Sequence, residues 1–323
     1  MLKVLSYKTK QFLVVLIKLS IVVGAFYVIF HKLFENDELN FRYFSHFLIE
    51  NEVFSIKNGV FLLILTIFNW FFETLKWQTL VKVIEPISFK NALEQSLGAL
   101  TASLLTPNRI GEYGAKAMYV SPKFRKRILL LNFIGNMMQM SVTVLFGVFG
   151  LSFLVSKYGL KFSTNSVVYL IISFIAILIG FMWVFKQKSF KIKGFSLEKI
   201  KTFATKIPKK IIVFAMTYSF IRYLIFSFQL YVLLLIFGVT INYFEAMILI
   251  SSMYVLSSII PTLLMFDVVI KSSVAVYVFS LAGINELTIL CVMTLMWLLN
   301  FVLPSIFGSY YVLQFKLPKK AII

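Results

Sequence analysis

One stretch of the chain, residues 104–116, combines helix-breaking residues with charged side chains in a way that suits anion binding. Pro107 lacks an amide hydrogen and disfavours helical geometry at the preceding residue, while Gly111 and Gly114 permit tight turning and close helix approach. We therefore expect one helix to break here and another to open near Gly111. Arg109 would lie beside the new helix N-terminus, where a guanidinium can cradle a phosphate group; the alternative is an arginine that snorkels to a membrane surface.

A carboxylate and a lysine four residues apart occur at two points. Glu112 and Lys116 follow the first break, and Asp267 and Lys271 follow Pro261 in the C-terminal half. The spacing puts each pair on one helical face with the acid ahead of the base, which is the favourable order. Because an isolated charge at the bilayer centre costs about 2.5 to 3.5 kcal/mol, two interpretations stay open: a structural ion pair that holds each segment, or a polar cavity that handles a charged headgroup.

Other polar residues fall within or beside apolar runs. Arg222 lies inside one run, Glu73 and Lys76 lie near the end of another, and Glu94 and Gln95 open the segment that precedes the first break. All five are interpreted chiefly as helix-interface residues, and Arg222 is also a candidate for the polar cavity.

Residues typical of enzymes and metal sites are missing from the sequence. His31 and His46 have no ligand spacing, and Cys291 is the single cysteine, so an intrachain disulfide is excluded. A Gly-rich loop ending in Gly-Lys-Ser/Thr and a Gly-x-Ser-x-Gly nucleophile elbow are both absent. We therefore expect no catalytic residues, no metal and no cofactor.

The composition excludes a water-soluble fold. Hydrophobic residues make up 60% of the 323 positions and charged residues only 14%, with a mean hydropathy of +0.90, far from the balance of soluble domains. The formal net charge is +19, but the basic residues cluster beside long apolar runs. We interpret that charge as membrane topology and attraction to anionic lipids, and we expect no nucleic-acid partner.

Several apolar runs are long enough to cross a bilayer as a helix. Six uninterrupted runs are predicted as full spans: 12–30, 59–81, 128–156, 165–185, 211–238 and 286–314. Two further runs, 88–120 and 243–281, are interrupted near their middles by polar and helix-breaking residues. The sequence thus predicts an all-α polytopic membrane bundle.

Basic loops predict the orientation, because lysine and arginine favour the cytoplasmic side. Lys82 and the stretch 123–127 flank the run 88–120, so this run would begin and end inside as a re-entrant helical hairpin. The most basic stretch, 186–210, also lies inside, which makes 243–281 a second re-entrant hairpin on the outer side. We expect both termini in the cytoplasm and a location in a bacterial inner membrane.

This arrangement predicts an inverted repeat within one membrane domain, 1–323. Three crossings and one hairpin form each half, 1–160 and 161–323, and an odd number of crossings inverts the second half. An offset of 154 residues aligns three positions of the two interrupted runs: Ala92 with Ala246, Ser103 with Ser257, and Pro107 with Pro261.

The pattern Thr-Pro-x-Arg-x-Gly-Glu at residues 106–112 resembles the signature of the lysylphosphatidylglycerol synthase transmembrane-region family, whose members are often described as flippase-like. The resemblance covers nearly the whole chain, including a second proline-containing segment in the C-terminal half. It implies a lipid-handling membrane domain. In multidomain members a similar domain accompanies a cytoplasmic aminoacyl-transferase that modifies phosphatidylglycerol.

The chain departs from this family pattern in its second half. Many members have Pro-x-x-Gly-Gly-x-Gly-x-x-Glu there, whereas residues 261–267 read Pro-Thr-Leu-Leu-Met-Phe-Asp. Asp267 can replace the acid, but the missing glycines leave the loop geometry and the substrate open. Because the sequence ends at Ile323, shortly after its last span, we do not expect the transferase domain or lipid aminoacylation.

These features predict a flippase-like protein that translocates or scrambles an anionic or glycosylated lipid between leaflets. Arg109, Lys116 and Lys271 would guide a phosphate-bearing headgroup, while Glu112 and Asp267 hold the cations in place. The alternative is a non-transporting accessory subunit of a glycolipid or envelope-polymer biosynthesis complex. Its partners would then be lipid or glycan biosynthesis enzymes.

Overall fold

The structure is a computed structural model that describes residues 55–104, 106, 109–159, 202–259 and 267–315. It also describes two helical residues, Val23 and Tyr27, and the backbone of residues 191–192 and 195–196; at 267–270 the backbone alone is described. Apart from those two helical residues, the predicted spans 12–30 and 165–185 lie outside the described residues.

Helices form almost all of the described chain. They are α1 (Ile56–Val81), α2 (Phe89–Ser103), α3 (Ile110–Met118), α4 (Arg125–Tyr158), α5 (Lys209–Ile236), α6 (Tyr243–Ile259), α7 (Asp267–Ser280), α8 (Glu286–Trp297) and α9 (Leu303–Gln314). A π-helical turn, Leu298–Val302, joins α8 to α9 without a break. A short antiparallel ladder pairs β1 (Lys191–Ile192) with β2 (Phe195–Ser196).

Within the described part of the chain, four helices are long and apolar enough to cross a membrane. They are α1, α4, α5 and the continuous helix Glu286–Gln314, which match predicted spans two, three, five and six. Their outer faces are apolar: Ile67 is 65% exposed and Phe149 is 61% exposed, whereas Asn69 and Gln229 are buried. This distribution suits a surrounding of lipid, so the prediction of a multi-pass helical membrane protein is confirmed.

Each interrupted run forms two shorter helices that contact each other. The run 88–120 forms α2 and α3, and the run 243–281 forms α6 and α7. We call these the first and the second helix pair. The helix break in the first pair lies between Ser103 and Ile110, where the sequence predicts it.

The two pairs open with the same local structure at positions 154 residues apart. The backbone N–H of Asn91 donates to Ser88 Oγ at 3.2 Å, and the backbone N–H of Glu245 donates to Asn242 Oδ1 at 2.9 Å. Both side chains satisfy an amide that the first helical turn leaves without a partner. Ser88 and Asn242 therefore both cap the N-terminus of the first helix of their pair.

The last helix of each half packs on the first interrupted helix of the other half. Helix α9 packs against α2, and α4 packs against α6. Gly308 of α9 lies against the carbonyl of Leu97, and Gly150 of α4 lies against Ser251, which is Leu97 shifted by 154 residues. Glycine permits this close approach of two helices. Exchanging α1 with α5, α2 with α6, α3 with α7, and α4 with α8–α9 reproduces the helix contacts.

Candidate functional site

A cavity of about 750 Å³ lies between the two helix pairs and the long helices. Seven of the charged residues singled out from the sequence line it: Glu73, Lys76, Arg109, Glu112, Lys116, Arg222 and Lys271. Asp267 is the first residue of α7, but its side chain lies outside the described residues, as do Pro107 and Pro261. The structure thus brings charged side chains from distant parts of the chain to one polar space.

The first charged cluster, which we call the Glu112 triad, consists of Arg109, Glu112 and Lys116. Lys116 Nζ lies 2.8 Å from Glu112 Oε1, and Arg109 Nη2 lies 3.3 Å from Glu112 Oε2. The Lys116 side chain is 2% exposed, whereas that of Arg109 is 49% exposed. Glu112 therefore holds one buried cation and one cation that a ligand can reach.

Lys116 has further partners that fix its position. Its Nζ donates to Asn132 Oδ1 at 2.8 Å and lies 4.2 Å from the centre of the Trp77 ring. Trp77 in turn donates its indole N–H to Gln95 Oε1 at 2.8 Å. Gln95 thus has the interface role expected of it, and Lys116 is a positioned cation as well as a cavity residue.

Local backbone geometry presents Arg109 to the cavity. Arg109 caps the N-terminus of α3 in the left-handed conformation, with φ of 57°, which is uncommon for a residue other than glycine. The backbone N–H of Gly111 donates to Thr106 Oγ1 at 2.6 Å, and Gly111 lies against the carbonyl of Ala102. Helix α3 continues through Gly114, which has open space beside it. The expectation that Gly114 shapes the break by close approach is therefore corrected.

The second charged cluster, which we call the Glu73 triad, consists of Glu73, Lys76 and Arg222. Lys76 Nζ lies 2.7 Å from Glu73 Oε2, and Arg222 Nη1 donates to the same carboxylate oxygen. Arg222 Nη1 also donates to Gln139 Oε1 at 3.2 Å. All three members of the triad line the cavity, where the sequence indicated chiefly interface residues.

A ladder of buried amides continues from this triad. Arg222 Nε donates to Asn69 Oδ1 at 3.1 Å, and Asn69 Nδ2 donates to Asn300 Oδ1 at 2.8 Å. Asn300 Nδ2 then donates to Gln229 Oε1 at 2.9 Å. These amide residues were not predicted as site residues. Asn69 nevertheless lies on one helical face with Glu73, four positions later, and such polar residues in apolar spans mark interfaces or cavities.

The π-helical turn also contributes the backbone carbonyl of Asn300 to the polar contacts beside the Glu73 triad. The indole N–H of Trp70 donates to the Asn300 carbonyl at 3.1 Å. A π-helical turn changes the helix hydrogen-bond pattern, and such turns often occur at functional sites. Trp70 and Trp297 both line the cavity.

Phe301, within the same turn, is shared by both helix pairs. Arg109 Cζ from the first pair lies 5.7 Å from the centre of its ring, and Lys271 Nζ from the second pair lies 5.9 Å from that centre. Both distances permit attraction between a cation and the ring face. The cations of the two pairs therefore approach one side chain inside the cavity.

A serine from each helix pair also lines the cavity. Ser103 Oγ donates to the Leu100 carbonyl at 2.6 Å, and Ser257 Oγ donates to the Tyr254 carbonyl at 3.0 Å. The two donors are 154 residues apart, and so are the two acceptors. The aligned residues Ser103 and Ser257 therefore make equivalent hydrogen bonds, each within its own helix.

The fold and the cavity define the class: a multi-pass helical membrane protein with a charged polar cavity lined by its helices. The chain belongs to the family described as lysylphosphatidylglycerol synthase TM region, whose model matches residues 15–308. The resemblance carried by residues 106–112 is therefore confirmed. Comparison with curated proteins and with solved structures gave no match.

Proposed function

We propose that this protein moves a lipid with an anionic or glycosylated headgroup between the two leaflets of a bacterial inner membrane. The observation that carries the proposal is the charged cavity that both helix pairs line. Arg109 comes from the first helix pair, Lys271 from the second, and Arg222 from α5. Membership of the lysylphosphatidylglycerol synthase TM region family supports a role at membrane lipids.

In this proposal the two helix pairs are re-entrant hairpins of opposite orientation. An inverted repeat is supported by the matching pattern of helix contacts in the two halves, by the equivalent caps at Ser88 and Asn242, and by the glycine contacts at Leu97 and Ser251. Hairpins that enter from opposite sides meet near the bilayer midplane, where many transporters built from inverted repeats bind their substrates. Both termini then face the cytoplasm, as the basic loops predict.

The cavity lowers the barrier to headgroup transfer by replacing the hydration that a charged group loses in hydrocarbon. Arg109, which is half exposed, makes the first contact with the headgroup. Ser103 and Ser257, one from each helix pair, also line the cavity, and their hydroxyl oxygens can accept hydrogen bonds from a hydroxylated or glycosylated headgroup. Acyl chains remain in the lipid beside the apolar outer faces of the helices. No bond is made or broken, so the protein acts as a carrier and not as an enzyme.

Leaflet transfer in proteoliposomes tests the proposal. Purified protein is reconstituted with tail-labelled fluorescent phosphatidylglycerol, phosphatidic acid or a polyprenyl phosphate, and a membrane-impermeant quencher reports the fraction that reaches the outer leaflet. We expect faster transfer than in protein-free vesicles, and a decrease of about tenfold or more for Arg109→Gln, which removes an accessible charged contact.

Glu245→Gln provides the matched control, because Glu245 pairs with Lys157 at 2.5 Å and neither residue lines the cavity. This variant should transfer lipid at the parental rate. Folded protein that gives no transfer with any of the three lipids would overturn the proposal and leave the accessory-subunit alternative.

A further inference from the structure

The cavity carries more positive than negative charge. Its basic lining residues are Lys76, Arg109, Lys116, Arg222 and Lys271, and the acidic residues that line it among those described are Glu73 and Glu112. Each triad places one carboxylate between two cations. Even if Asp267, one helical turn before Lys271 in the sequence, balances that lysine, each triad keeps one positive charge in excess.

The excess charge lies in a poorly solvated place. The side chains of Lys116 and Lys76 are 2% and 4% exposed, and both carboxylates are at most one-tenth exposed. Uncompensated charge in such surroundings costs several kcal/mol. The two more accessible cations, Arg109 and Arg222, are the members of each triad that an entering anion can contact.

Arg222 retains hydrogen-bonding capacity for such an anion. Its Nε donates to Asn69 and its Nη1 donates to Glu73 and Gln139, so these contacts use three N–H groups, and Nη2 makes no hydrogen bond to the residues that the structure describes. A guanidinium has five N–H donors. The Ser96 hydroxyl, buried in the same cavity, has no hydrogen-bond partner among the described residues. The cavity therefore offers unused donors together with the excess charge.

We propose that the headgroup bound here carries a phosphate dianion, as in a phosphomonoester or a diphosphate, and is preferred over a monoanionic phosphodiester. A dianion supplies one negative charge for the excess positive charge of each triad, which brings the cavity close to neutrality. A phosphodiester supplies a single negative charge, so the excess charge of one triad stays uncompensated. A phosphomonoester carries about −1.5 to −2 charges near pH 7. This inference rests on the proposed function only in that the dianion belongs to a lipid.

Binding measured without transport tests the inference. The protein is placed in phosphatidylcholine nanodiscs and titrated with phosphatidic acid, with phosphatidylglycerol of the same acyl chains, and with diacylglycerol. Native mass spectrometry counts bound lipid, and tryptophan fluorescence reports occupancy through Trp70 and Trp297 of the cavity. We expect phosphatidic acid to bind about tenfold tighter than phosphatidylglycerol, and diacylglycerol not to bind.

Inorganic phosphate and pyrophosphate distinguish a lipid from a free anion. Millimolar pyrophosphate should displace phosphatidic acid only partly, because the acyl chains add affinity that the soluble anion lacks. Complete displacement by micromolar phosphate or pyrophosphate would show a site for the free anion and would overturn the lipid assignment.

Charge variants separate net charge from loss of fold. Arg222→Gln and Arg109→Gln each remove one positive charge and should reduce the preference for phosphatidic acid to about twofold or less. Arg222→Lys and Arg109→Lys keep the charge and should keep most of the preference, even where absolute affinity falls. Lys157→Gln, outside the cavity, should change nothing.

Equal affinities for phosphatidic acid and phosphatidylglycerol in the parental protein would overturn the inference. A clear preference that persists in the two glutamine variants would overturn it as well. The outcome is independent of leaflet transfer: protein that transfers lipid without this preference contradicts only the inference, and protein that shows the preference without transfer contradicts only the proposed function.

Discussion

Arg222 and Glu73, which are 149 residues apart in the sequence, form an ion pair between α5 and α1. The pair joins the two halves of the molecule at the wall of the cavity, and Lys76 shares the same carboxylate oxygen. Removing Glu73 leaves two neighbouring cations without their counter-charge, whereas removing Arg222 leaves a balanced pair. The two partners therefore differ in what their loss does to the protein.

Glu73→Gln should destabilise the protein by about 3–5 kcal/mol, since it leaves buried cations unpaired. Arg222→Gln should destabilise it less, and the double variant Glu73→Gln/Arg222→Gln should be more stable than Glu73→Gln alone. Thermal unfolding in detergent measures the order, and a double-mutant cycle gives the coupling of the two residues. Additive effects of the two substitutions would contradict the structure.

Gly308→Ala should weaken the contact between α9 and α2, because a Cβ there would collide with the backbone carbonyl of Leu97. We expect a loss of about 1–3 kcal/mol, the usual cost of overpacking. Gly114→Ala is the matched control: that position is helical and has open space, so alanine should stabilise by about 0.5–1 kcal/mol. Unfolding midpoints that fall equally for both variants would contradict this account.

Asn300→Leu should destabilise the protein, because it leaves Asn69 Nδ2 and Gln229 Oε1 without the partners they have in the amide ladder. Each buried polar group left unsatisfied costs about 1–3 kcal/mol. Asn136→Leu, which removes one hydrogen bond to Tyr113, should cost less. Chemical unfolding of both variants compares the two losses, and an equal loss would count against the ladder.

Cysteine accessibility tests the orientation. In a Cys291→Ala background, a cysteine at Asn285 should react with an impermeant maleimide added to intact cells, while a cysteine at Ser121 should react only after the membrane is opened. The basic loops predict this because they place residues 121–127 inside and the loop before α8 outside. Labelling of Ser121→Cys in intact cells would invert the predicted topology.

Local sequence patterns predicted the parts of the site that depend on neighbours along the chain. The spacing of Glu112 and Lys116 anticipated their ion pair, and the proline at 107 anticipated a helix break between Ser103 and Ile110. The ion pair depends only on helix geometry, and the break depends on the missing amide hydrogen of proline.

Contacts between distant segments were not predictable in this way. Asn69 and Asn300 are 231 residues apart in their hydrogen bond, and no pattern within either span specifies the partner. The π-helical turn that carries Asn300 is likewise tied to a distant residue, since its carbonyl accepts the Trp70 hydrogen bond. The polar face formed by Asn69 and Glu73 was a usable signal, because both lie on one side of an otherwise apolar helix.

The packing of α9 on α2 also has a consequence for biogenesis. The surface of α2 around Leu97 is covered by residues near Gly308, which the ribosome synthesises some 200 positions later. The first helix pair therefore has an incomplete interface until translation is almost finished. Insertion chaperones would have the longest access to this helix pair, and truncations near the C-terminus should expose it to membrane proteases first.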